Sequence, residues 1–353
     1  MIVSELAPIY LVLRALIAAG FIATGALDRS IGQVGLLLFA LSELGALVLI
    51  FRSVAAAKAT GHSPSILTLF KVTERLPTGV RHQVEVPYWD SLSLDVYARP
   101  DLSGAPALVY VHPGSWMRGR PGRQARAMSH RLADLGWVVL DIRYPLSPAA
   151  TFPEHLIGVK RAIAWARGEA GRRLGIDPAR VVISGGSSGA HLAALAALTS
   201  HDHGLQPGFE DADTSVAACV PFYGIYDLLV RNPTRYDWPF IARHVMKSDP
   251  SENPGLYQLG SPIDQIRPDA PPFLVLHGEF DSIVLPAESE HFVAALDEAG
   301  VGSEYFEVPW AQHGFDAIQS LRTRAVAAMC VSWLTSRLGP TERWGPNGGM
   351  VAR

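Results

Sequence analysis

From about residue 80 the chain alternates short apolar runs with helix-forming segments, and this alternation leaves few folds open. "ALVYVH" at 107–112 is apolar almost throughout, which suits a strand buried on both faces. The helix-forming "RQARAMSHRLADLG" follows and stops at Gly136. Next come the strand "WVVLDIRY", the helix "PEHLIGVKRAIAWARGEAGRRL" and the strand "RVVIS". The pattern continues through the helix after Ser187, "VAACVPFYG", "FLVLHG", "PAESEHFVAALDEAG" and "SEYFEVP" to a last helix over about 315–337. Strict alternation predicts an α/β fold, a mostly parallel sheet flanked by helices. Two earlier runs, "HQVEVPYW" and "LSLDVYAR", alternate apolar and polar residues and predict an antiparallel hairpin at the sheet edge.

This reading makes 80–338 one domain. Residues 226–268 stand outside the alternation, rich in Pro and aromatics that include Tyr226, Tyr236, Trp238, Phe240 and Tyr257. So long an insertion in an α/β domain is expected to act as a lid over the strand ends. Residues 53–79 form a linker or cap segment, and the Gly/Pro-rich 339–353 a flexible tail.

Apolar residues are concentrated at the N-terminus. Residues 31–50, "IGQVGLLLFALSELGALVLI", rise about 30 Å as a helix, one hydrocarbon core. Residues 7–27 make a second apolar run, interrupted by Arg14, and "DRS" at 28–30 supplies a tight turn. Residues 1–52 are therefore expected to be a two-helix transmembrane hairpin. Folding back at that turn brings Arg14 and Glu43 to about the same depth, where they can pair. A signal peptide fits less well, because Glu5 and no basic residue precede Arg14. A buried soluble hairpin is the other alternative. Arg52 and Lys58 after the second run, against Arg29 alone in the turn, place the catalytic domain on the cytoplasmic side.

Composition narrows the partners. Of 353 residues only 18% are charged and the net charge is −3. No basic stripe with interleaved aromatics is present, so nucleic-acid binding is not expected. The two cysteines, Cys219 and Cys330, sit in apolar contexts and read as buried hydrophobes rather than a disulfide. No Cys/His group has zinc-ligand spacing, and neither a metal nor an organic cofactor is expected. A homo-oligomer is left open.

The chemistry concentrates in "RVVISGGSSGAHLAAL" at 180–195. Gly185-Gly186-Ser187-Ser188-Gly189 fits G-x-S-x-G between a strand and a helix. A serine at such a sharp turn stands clear of the sheet, and its small neighbours Gly185 and Gly189 let strand and helix pass closely. The first helical N–H groups, beginning with Ser188, point at whatever oxyanion forms there. A phosphate loop would need a Lys after the glycines, and none follows. A serine nucleophile needs a base and an orienting acid, in the chain order Ser, acid, His. Asp281 follows the strand "FLVLHG"; Glu279 is a nearby alternative but sits less far into the loop. His313 follows the next strand, before the final helix. Gly114 and Ser115, after "ALVYVH", can add two oxyanion N–H groups to that of Ser188. His112 is expected to hold its own loop, His191 to pack, and Glu154-His155 to cap or anchor their helix. Trp116, Tyr223, Trp238 and Phe240 are candidates for the substrate pocket.

Residues 80–337 resemble an α/β-hydrolase, and within that superfamily the hormone-sensitive-lipase-like carboxylesterases. The likeness rests on His112-Pro113-Gly114-Ser115 for the H-G-G-G loop and on Gly185 to Ala190 for the G-D-S-A-G-G elbow. "HGEFDSIV" and "QHGF" match the acid and histidine segments, and "YPLSPAATFPEHLIGVKRAIAWAR" the approach to the elbow strand. The resemblance implies a serine carboxylesterase or lipase that forms an acyl-enzyme on a small-molecule or lipid ester; the N-terminal hairpin lies outside the resemblance and makes the expected enzyme membrane-anchored. Pro113 departs from the family loop and has no N–H to give. "HPGSW" also resembles the H-G-G-x-W loop of kynurenine formamidases, so an amidase, formamidase or acyltransferase on the same triad stays open. An inactive membrane-tethered binding module is the alternative from another class.

Overall fold

A computed structural model describes residues 2–61, 63–232, 238–339, 343–344 and 350–351, with side chains described for 4–61, 63–232 and 239–339. Among these, one sheet holds β1 (Arg81–Trp89), β2 (Leu92–Ala98), β3 (Ala105–Val111), β4 (Val138–Ile142), β5 (Ile176–Gly186), β6 (Cys219–Phe222), β7 (Phe273–Gly278) and β8 (Ser303–Val308). Their order is β1-β2-β4-β3-β5-β6-β7-β8. β2 runs antiparallel to both its neighbours, and every pairing from β4 to β8 is parallel. The edge hairpin and the parallel core thus follow the polar/apolar patterning of their sequences.

Burial explains the continuous apolar runs. Every residue of β3 and β4 is buried, because helices cover both faces of the sheet. One face carries the helices Glu154–Arg167, Ser188–Leu198 and Ala287–Glu298; the other carries Arg126–Asp134 and Leu321–Leu338. Each fully buried Val, Leu, Ile or Phe contributes roughly 1.5–3 kcal/mol. Cys219 and Cys330 are free and buried in this core.

Three helix boundaries differ from the sequence reading. The run 153–174 divides at Gly168, whose extended backbone ends Glu154–Arg167 before Glu169–Arg173 begins. The last helix starts at Leu321 rather than near 315, because the Ser320 side chain accepts from Thr323 N–H and caps it there. The long N-terminal helix, Ser30–Ala59, runs past residue 52. Its Ala-rich end is strongly helix-forming, and Ala57 packs with Leu321 and Ala325 of the last helix.

Ala7–Ala23 precedes that long helix, separated by a turn with Gly25 at φ +82°. Arg14 Nη2 lies 3.0 Å from Glu43 Oε1 and donates to Ser42 Oγ at 2.5 Å, so the two charges do meet. Among the described residues, only Ser30–Ala59 is long and apolar enough to cross a membrane; Ala7–Ala23 is apolar but shorter. Of residues 226–268, those described form short helical turns, and Ile241, Val245, Met246 and Tyr257 join the core beside the elbow helix. Of the expected tail, 343–344 pair antiparallel with 350–351, and most of the remainder lies outside the described residues.

Candidate active site

β5 ends on Gly186 and the helix Ser188–Leu198 begins two residues later, so the reversal falls on Ser187. Its backbone sits at φ +53°, ψ −122°, a conformation that non-glycine residues rarely adopt. Small neighbours make this turn possible. A Cβ on Gly189 would stand 2.1 Å from Val111 O, and one on Gly185 would stand 2.5 Å from Gly189 O. The elbow helix therefore rests directly on the end of β3 and the loop that follows it.

Three side chains converge there from the ends of β5, β7 and β8. His313 Nε2 lies 3.0 Å from Ser187 Oγ, and His313 Nδ1 lies 2.7 Å from Asp281 Oδ2. With the ring proton on Nδ1 donated to the carboxylate, Nε2 is free to accept from the serine hydroxyl. Asp281 is buried, and its Oδ1 accepts from Ile283 N–H and Val284 N–H, both at 2.9 Å. Burial pushes its pKa up, but hydrogen bonds from His277 and His313 outweigh that and hold the carboxyl well below its usual range. Asp281 is thus an anion at neutral pH. Glu279 points elsewhere, accepting from Trp310 N–H.

The loop after β3 lies beside the elbow, since β3 and β5 are adjacent. Gly114 O accepts from Met117 N–H and Arg118 N–H at 3.1 Å, closing a tight turn that puts Ser115 and Trp116 at φ +57° and +59°. Ser188 opens the elbow helix, where first-turn N–H groups lack an intrahelical acceptor. His112 Nδ1 lies 3.1 Å from Pro113 O, and its ring stacks on Tyr144. Burial lowers its pKa to about 4, so the ring is neutral and serves to hold the loop.

The pocket candidates are placed differently from one another. Trp116 is buried, its Nε1 donating to His191 Nδ1 at 3.2 Å, so it braces the loop from within. Tyr223 is also buried; its ring lies 4.8 Å from that of His313 and its hydroxyl donates to Asp316. Phe240 is half-buried against the core beside His244. The Trp238 side chain lies outside the described residues.

The sequence reading gave no role to His277 or Asp316, and to His191 only packing. His277 donates from Nε2 toward Val284 O at 2.8 Å and Asp281 Oδ2 at 3.2 Å, while Nδ1 faces Ser289 Oγ at 2.7 Å. Its place at the end of β7, four residues before the acid, was the available signal. Asp316, buried beside Tyr223 and Gln124, lies three residues after His313. His191 is more than packing: with Nδ1 accepting from Trp116, its Nε2 donates to Gly260 O at 2.7 Å. It ties the loop after β3 to the far end of the insertion.

Residues 94–296, more than half of the chain, match the BD-FAE family; the match ends before His313. Esterase LipQ of Mycobacterium tuberculosis is 45% identical over 264 residues, covering 73% of this chain and 62% of the relative. The probable carboxylic ester hydrolase LipM of the same organism is 40% identical over 262 residues, covering 72% and 60%. The chain thus matches about three-fifths of the length of these curated relatives. Among solved structures, a bifunctional GH43-CE protein of Bacteroides eggerthii superposes with a TM-score of 0.64 at 26% identity, over 73% of this chain and 38% of that one. Thermogutta terrifontis esterase 2 phosphonylated by sarin superposes with a TM-score of 0.63 at 24% identity, over 76% and 99%. The architecture is that of the α/β-hydrolases.

Proposed function

The chain belongs to the BD-FAE family, and from that premise we propose that it is a membrane-anchored serine carboxylic ester hydrolase. The observation that carries this reading is the continuous hydrogen-bond chain from Ser187 Oγ through His313 to Asp281, set on a strained turn. Relatives named as esterases support it. Ser187 Oγ attacks the ester carbonyl carbon as its proton passes to His313 Nε2. The carbonyl electron pair moves onto oxygen, and the N–H groups of Gly114, Ser115 and Ser188 hold that charge; each such donor contributes about 10²–10³ in rate. Collapse breaks the ester C–O bond, and His313 gives its proton to the departing alcohol. Water, deprotonated by the same ring, then attacks the acyl-enzyme and releases the carboxylic acid. Asp281 stabilises the charged imidazole in both halves.

Residues 226–268 act as the lid. The bonds His191 Nε2 to Gly260 O and Phe152 N–H to Val245 O support that role by tying both parts of the insertion to the catalytic body. The N-terminal helices hold the enzyme to the membrane, with the catalytic domain on the cytoplasmic side by the placement of Arg52 and Lys58. The substrate is a lipophilic ester.

Ser187→Ala is expected to abolish hydrolysis of p-nitrophenyl esters while leaving the far-ultraviolet spectrum unchanged. Ser188→Ala, which keeps its backbone N–H, retains most of the activity. Ester turnover by folded Ser187→Ala overturns the reading.

A further inference from the structure

The catalytic rim itself meets the long N-terminal helix. The twenty residues 31–50 fill about one hydrocarbon core, so its boundary falls at Phe51 and Arg52. At that level the helix touches the catalytic body. The Arg52 guanidinium lies 3.6 Å over the ring of Trp310, in the loop between β8 and His313. Phe280, next to Asp281, stacks on the other partner of this contact, its ring 4.9 Å from that of Trp310. A shallow groove of about 360 Å³ runs between helix and loop, lined by Leu47, Val48, Phe51, Arg52, Ala55 and Trp310.

The same rim is unusually apolar. Beyond residue 80, the large hydrophobic side chains exposed among the described residues are Val84, Leu135, Phe280, Ile283 and Leu285. Three of the five fall in the acid loop, with Ile283 60% and Phe280 43% exposed. Through the stack of Phe280 on Trp310, this loop adjoins the groove where Leu47 and Phe51 stand exposed on the helix. A Trp–Arg pair at the end of an apolar span is the pairing expected at the headgroup level, where both side chains bridge apolar and wet surroundings.

We propose that Phe280, Ile283 and Leu285 insert into the bilayer surface, with a lipid acyl chain in the groove beside Trp310. The site thereby takes its ester from the membrane rather than from water. This rests on the membrane-anchored reading above, and it adds which face of the catalytic body touches lipid.

The test uses single cysteines carrying an NBD fluorophore on the full chain in phosphatidylcholine/phosphatidylglycerol nanodiscs. The native thiols, both buried, do not compete for the label. Leu38→Cys reports the helix, Ile283→Cys and Phe280→Cys report the rim at two independent positions, and Leu135→Cys, exposed on the catalytic body away from these loops, is the aqueous reference. Lipids with a doxyl quencher high on the acyl chain are expected to quench positions 283 and 280 at least about threefold more than 135, in keeping with shallow insertion of an apolar face; lipids with the doxyl group deep on the chain report position 38, which lies well inside the core. Quenching at 38 but not at 283 or 280 overturns this inference and leaves the anchor standing. No quenching at 38 overturns the anchor, and the inference falls with it.

Discussion

At the scale of single residues, the site is a set of short hydrogen bonds whose loss has separable consequences. Asp281 fixes the Nδ1–H tautomer of His313 through a 2.7 Å bond and is itself held by two backbone N–H groups. Asp281→Asn keeps the shape but offers an amide N–H where an acceptor is needed. It is expected to lower kcat by about 10³–10⁴ with little change in KM. Steady-state kinetics check this, and a fall of less than about tenfold contradicts the assigned role. The three members were legible in the sequence because each follows a recognisable strand and the order of strands fixes where their ends lie. The hydrogen-bond partners of Trp116, Tyr223, His191 and Asp316 were not legible there. Their partners lie 75 to 93 positions away, at His191 for Trp116 and Asp316 for Tyr223, and no local pattern records such contacts.

At the scale of elements, the mostly parallel sheet followed from alternation, and the elbow from a turn that only small residues can make. The helix ends were less legible. Gly168 and Ser320 overrule runs that periodicity alone would continue. The N-terminal segment, expected to be a two-helix transmembrane hairpin, is also knitted to the last helix. Glu5 pairs with Arg322, and both are buried; Ser320 Oγ donates to Glu5 Oε2 at 2.5 Å, and Arg322 Nη2 to Ser53 Oγ at 3.3 Å. Removing one member of a buried pair strands the other charge, at a cost of about 3–5 kcal/mol. Glu5→Gln should therefore lower the midpoint of thermal unfolding markedly, and Glu5→Gln with Arg322→Met should recover much of the loss. Equal melting of Glu5→Gln and the parent protein would show that the pair does not hold the last helix. That helix begins eight residues after His313, so the N-terminal helices and His313 share one support.

At the scale of the whole molecule, stability and chemistry pull on the same titrations. Burial lowers the pKa values of His112 and His155 to about 4, below the ordinary value of 6.5. Their neutral forms stabilise the fold fully above about pH 6.5, and that contribution drains away as pH falls towards 4. Burial raises Asp141 to about 7, which acts in the opposite sense and costs stability as pH rises from about 4 towards 7, where the loss is complete. Two histidines outweigh one carboxyl over that range, so stability is expected to fall as pH drops from about 6.5 towards 4. Urea-unfolding midpoints across the pH range check this; a flat profile on the acid side contradicts it. The parallel sheet, the elbow and the triad all serve one claim, that Ser187 is the nucleophile. Its most direct test is peptide mass spectrometry of the full chain after reaction with a fluorophosphonate. A single phosphonyl adduct on Ser187, lost in His313→Ala, is the predicted result. An adduct on Ser188 or another serine, or none on a protein that still cleaves esters, contradicts it.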